Sequence, residues 1–108
     1  MAYDLKLEAR IDRLTDSWEL DKKKMFGGVG YKLGGNLACG IHKDELIVRA
    51  AAEQVSELLK QPGIRNFDMG RGPMKGWLLA GGPAIKTDES LLKLLEISRD
   101  YASSLPPK

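Results

Sequence analysis

From residue 29 to residue 41 hydrophobic side chains recur at every second position, as Val29, Tyr31 and Leu33 and then Leu37, Cys39 and Ile41, on either side of Gly34-Gly35-Asn36. Successive side chains of an extended chain point to opposite faces, so this alternation gives each of two strands one apolar face. Glycine and asparagine accept the positive φ angles of a tight reversal, and the tripeptide therefore predicts an antiparallel hairpin. Lys43-Asp44-Glu45 predicts a second reversal, into a third strand at Leu46-Ile47-Val48-Arg49 that completes a meander.

On both sides of this meander the period changes. Tyr3, Leu7, Ile11, Leu14 and Trp18 are spaced by four and three, which lines them along one stripe of a helix over residues 3–18. Its other side carries Lys6, Glu8, Arg10, Asp12 and Arg13. Asp21-Lys22-Lys23-Lys24 reads as a charged connector. Val55, Leu58 and Leu59 predict a short helix over 51–60, ended by Pro62-Gly63. Ile64 to Asp68 and Trp77 to Ala80 read as two further strands around the loop Met69-Gly70-Arg71-Gly72-Pro73. Thr87 is placed to cap a last helix, with Asp88 and Glu89 at its positive end. Leu91, Leu94, Leu95, Ile97 and Tyr101 make an apolar arc broad enough to serve a partner as well as the core. Residues 104–108 form a tail, because Pro106-Pro107 cannot continue a helix. The expected architecture is α+β, an antiparallel sheet of about five strands flanked by helices in the order α-β-β-β-α-β-β-α. A chain of 108 residues suits one domain, spanning 1–108, that buries a core without disulfides or metal.

Composition narrows the function classes. With 43% hydrophobic residues the chain is not compositionally disordered, and 17 basic against 15 acidic residues leave a net charge of +2, too small to imply a polyanion partner. A basic surface must be local. The single cysteine excludes an internal disulfide, the charged N-terminus is unlike a signal peptide, and no run approaches the roughly 20 apolar residues of a membrane span. The expected compartment is the cytoplasm.

No catalytic constellation emerges, and neither a cofactor nor a metal is expected. Cys39 and His42 are three residues apart on one strand and so project to opposite faces, where they cannot act as a thiolate and base pair. Cys39 shares its face with Leu37 and Ile41 and reads as core, so an enzyme reading would have to rest on it alone. The glycines of Met25-Phe26-Gly27-Gly28-Val29-Gly30 lack the dinucleotide fingerprint and precede a strand. Lys75 precedes Gly76 rather than following the last glycine, unlike a phosphate-binding Walker loop. Arg71 and Lys75, together with Lys22, Lys23, Lys24 and Arg65, could converge as a basic patch, with Trp77 or Tyr31 stacking on a base.

Met25-Phe26-Gly27-Gly28-x-Gly30, Gly35-Asn36-Leu37-Ala38-Cys39-Gly40, Glu45-Leu46-x-Val48-Arg49 and Pro73-Met74-Lys75-Gly76-Trp77 closely resemble the N-terminal domain of the TfoX/Sxy family. The resemblance covers nearly the whole chain and extends to Met1-Ala2-Tyr3-Asp4 and the closing tail, which look like single-domain members. It implies an antiparallel sheet flanked by helices. It further implies kinship with regulators of natural competence and transcription that act with the cyclic-AMP receptor protein and use a second, helical domain resembling DNA-binding modules. The chain is expected to correspond to the first domain alone. The resemblance thus implies a non-enzymatic regulatory or protein-interaction module, with a second copy or a regulatory protein as partner. Met25, Phe26, Gly27, Gly28, Arg49, Arg71, Lys75, Gly76 and Trp77 are carried over as structural or interaction residues. The alternative is a weak nucleic-acid-binding domain that uses the local basic patch.

Overall fold

A computed structural model describes residues 3–25, 28–68 and 73–106. The first helix, α1 (Leu5–Leu14), buries Leu7 and Ile11, as the stripe predicts, but it is shorter than the stripe at both ends. The Asp4 carboxylate accepts the backbone N–H groups of Lys6 and Leu7 at 2.8 and 3.2 Å, so the helix starts behind it. Tyr3 instead makes a single bridge with Lys43. At the other end the Thr15 hydroxyl donates to the Ile11 carbonyl at 2.8 Å, and the chain tightens into a 3-10 turn over Asp16–Trp18.

Six strands follow in one antiparallel sheet, and the sixth is the stretch read as a connector: β1 (Asp21–Met25). It pairs with β2 (Gly28–Leu33) and forms one edge of the sheet. Asp21 to Lys24 are all exposed, and a lysine-rich edge discourages further strand addition. Such a strand has no apolar alternation to announce it. The turn into β3 (Asn36–His42) is confined to Gly34 and Gly35, with φ of 60° and 85°, and a bulge at Ala38 sets the register with β2. Next come β4 (Glu45–Arg49), the helix α2 (Ala52–Leu59), β5 (Ile64–Asp68), β6 (Pro73–Ala80) and the helix α3 (Asp88–Ser103). The spatial order is β1-β2-β3-β4-β6-β5, so β6 lies between β4 and β5. β6 is longer than the alternation suggests because it begins at Pro73, which pairs with Asp68.

The helices cover one face. Val29, Tyr31, Cys39, Ile41, Leu46, Val48, Leu78 and Ala80 meet Leu7, Ile11, Leu58 and the helix α3 there in the main core. Ile47, Phe67 and Leu79 form a smaller cluster elsewhere, bordered by Trp77. Thr87 caps α3 by accepting the Ser90 N–H, and Leu91, Leu94, Leu95, Ser98 and Ala102 are buried. The apolar arc of α3, expected to have width to spare for a partner, is therefore largely spent on the domain's own sheet. Among the described residues Leu5 is the one exposed large hydrophobic side chain. At the other end of β4 Glu45 reaches past Gly81, where a side chain would collide with it, to form a bidentate ion pair with Arg65. No helix among the described residues is long and apolar enough to cross a membrane.

Candidate functional site

The last residue of β4 organises the candidate site. Gly76 has a φ of 81°, a left-handed conformation that suits glycine, and its carbonyl accepts the Ala50 N–H at 2.9 Å. This kink sets Trp77 directly opposite Arg49 across the β4–β6 pair, where cross-strand neighbours share one side of the sheet. The Arg49 guanidinium carbon lies 4.8 Å from the centre of a Trp77 ring and 5.2 Å from that of Tyr101, in the last turn of α3. Its Nη1 donates to the Leu37 carbonyl at 3.2 Å, and its backbone N–H donates to the buried Ser98 hydroxyl at 3.2 Å. Arg49 is thus held from β3, β6 and α3 at once. Asn36, also buried, donates to the Pro106 carbonyl at 2.9 Å and ties the end of the chain beside the same stretch of β3.

No carboxylate pairs with Arg49 among the described residues. The one buried side-chain polar atom there that lacks a partner is Arg10 Nη2. The remaining N–H donors of Arg49 consequently reach solvent, and the half-buried Trp77 and Tyr101 frame them. A guanidinium of this kind is a rigid, partly desolvated, uncompensated cation with a planar donor edge.

Of the residues singled out in the sequence, the fold brings Arg49, Gly76 and Trp77 together. Lys75 has its backbone in β6, next to Gly76, while its side chain lies outside the described part of the structure. Phe26, Gly27 and Arg71 lie outside the described residues. Met25 and Gly28 pair with each other where β1 meets β2, away from Arg49. β1 stands four inter-strand steps from β6, about 19 Å, so Lys22 to Lys24 and Lys75 do not start from adjacent backbone. Lys22 is also engaged, with its ammonium 3.1 Å from Glu8 and 2.8 Å from Asp12, and the hydrogen bond to Asp12 is the main cause of its raised pKa. Tyr31, considered as a stacking platform, is 2% exposed and donates its hydroxyl to Asp12 at 2.8 Å. Burial is the main reason that its ionisation is pushed above the usual range.

Tyr101, Ser98 and Leu37 are the members that sequence reasoning missed as a group. Tyr101 looks like one more apolar position of α3, and Leu37 contributes only its carbonyl. Neither role has a signal short of knowing that α3 crosses the end of β4.

Cys39 lies in the main core, and burial pushes its thiol up to about 12. His42 stands on the other face, its ring 5.9 Å from that of Phe67. A thiol with a raised native pKa stays protonated in the fold after the unfolded chain has lost its proton. The folded state then binds more protons, and stability falls as pH rises from the usual thiol range towards 12. In denaturant titrations over that range the wild type should lose stability more steeply than Cys39→Ala, and native-state alkylation of Cys39 should be slow and limited by opening of the fold. Parallel pH profiles for the two proteins, or labelling as fast as in the unfolded chain, would contradict this.

An antiparallel sheet with its helices on one face, and an arginine that stands over two aromatic rings at a strand end, defines a mixed α+β domain. The model of the TfoX N-terminal domain matches residues 12–102, from the last turn of α1 to the last turn of α3. The chain belongs to the TfoX N-terminal domain family. Neither the curated proteins nor the solved structures gave a match.

Proposed function

We propose that this chain is a non-enzymatic regulatory domain that binds a partner protein through the surface around Arg49, Trp77 and Tyr101. The stacked guanidinium, which has no carboxylate partner among the described residues, supports this reading most strongly. Arginine, tryptophan and tyrosine dominate the energetic centres of protein interfaces, where a well-packed anchor contributes most when it is already in place before binding. Here three elements fix the cation in the free domain. Kinship with the TfoX family agrees with a regulatory role, given the resemblance to regulators of competence and transcription, and with action in the cytoplasm. Much of the α3 arc is buried in the domain itself, which favours a different protein over a second copy of the chain as the partner.

Affinity capture from extract of the cells that make this chain tests the proposal, with recovered protein and nucleic acid both analysed. A protein retained by the wild type and by Arg65→Gln, and lost with Arg49→Lys, is the expected result. Recovery that ignores Arg49, or of nucleic acid alone, would count against it.

A further inference from the structure

We infer that the Arg49 guanidinium is a receptor for a carboxylate on the partner polypeptide, so that the domain recognises an acidic segment. This deepens the function proposed above and rests on it. Arginine presents five N–H donors in a planar fork that matches the two oxygens of a carboxylate. One of these donors is satisfied within the domain, by the Leu37 carbonyl. The charge itself has no carboxylate partner among the described residues, whereas Arg10, Arg13, Arg65 and Arg99 each have one. Among the described residues Arg49 is thus the arginine left with charge to complement, and it is also tightly held.

The rings explain why the ligand is a carboxylate rather than a stacked base. One side of Trp77 carries Arg49, and the side chain also packs against the cluster of Ile47, Phe67 and Leu79. Tyr101 likewise stands over the same guanidinium. The aromatic surfaces are therefore occupied in orienting the cation, and the accessible chemistry is the donor edge of the fork. The rings limit its motion and partly exclude water, and both effects strengthen a charge-assisted hydrogen bond at the edge.

The test is titration of the full, isotope-labelled chain with a blocked hexapeptide of alternating aspartate and glutamate, followed at the Trp77 indole N–H and the Gly76 and Leu37 amides. A blocked peptide of asparagine and glutamine and a single-stranded oligonucleotide serve as comparisons. The acidic peptide should give saturable shifts at these three groups, and the neutral peptide none. Arg49→Lys keeps the positive charge but loses the fork, and should weaken binding about tenfold. Arg65→Gln, in β5 and paired with Glu45 at the opposite end of β4, should leave binding unchanged. Arg49→Lys carries the comparison even if Arg49→Ala fails to fold.

The inference is overturned if the acidic peptide gives no saturable shifts, if Arg49→Lys binds it as tightly as the wild type, or if the oligonucleotide alone produces the shifts. Arg49-dependent capture of a protein that coincides with failure of the acidic peptide would sink the ligand class while leaving the proposed function standing.

Discussion

Replacing Gly63 with alanine is expected to lower the stability of the domain by several kcal/mol. Gly63 has a φ of 88°, in the region that side chains rarely adopt, and holding a non-glycine residue in such a conformation costs on the order of 1–3 kcal/mol. The space is closed as well. An added Cβ would stand 2.2 Å from the Gly81 carbonyl oxygen, a backbone atom that is itself fixed because the Gly81 N–H donates to the Gly63 carbonyl. Relief requires movement of the chain entering β5 or of the chain leaving β6, and forced overpacking of this kind adds about 1–3 kcal/mol. Gly82→Ala is the matched comparison, since Gly82 also has a positive φ, of 53°, but nothing lies within 4 Å of its added Cβ. Denaturant titration should place Gly63→Ala well below Gly82→Ala. Equal losses would show that the close approach of Gly63 to Gly81 is wrong.

The second large effect is expected at Leu95, which is fully buried where α3 crosses the sheet. Leu95→Ala removes a packed side chain and leaves a cavity, a change that costs about 2–5 kcal/mol. Leu92, half-buried on the same helix, should cost about 1 kcal/mol on truncation, in proportion to its smaller burial. This pair decides what the arc of α3 is for. If Leu95→Ala were nearly neutral, the arc would be available to a partner instead of committed to the core.

The contrast between these positions and the recognition surface shows what can be read from the amino acids. The hairpin around Gly34-Gly35 and the capped start of α3 were legible because local chemistry decides them: positive φ in one case, a hydroxyl accepting an N–H in the other. β1 was not, because an edge strand needs no apolar face and its lysines look like a connector. The ends of α1 depended on the Asp4 and Thr15 hydrogen bonds rather than on the hydrophobic stripe. Arg49, Gly76 and Trp77 could be singled out as motif positions. Their meeting with Tyr101 could not, since it depends on β6 inserting between β4 and β5 and on α3 ending beside β4, and both are long-range choices with no local signal.

The most direct test of Arg49 as a recognition residue sets stability against binding in one variant. A clamp whose only task is to hold α3 to the sheet would lose stability in Arg49→Lys and nothing else. Exchanging one cation for another over the rings should remove no more than about 1 kcal/mol, a shift of roughly 4–8 °C for a domain of this size. Thermal melting and partner capture, measured on the same preparation of Arg49→Lys, should show a folded domain with a melting midpoint near that of the wild type and no retained partner. A variant that melts far below the wild type while its folded fraction retains the partner in full would contradict the assignment of this surface to recognition.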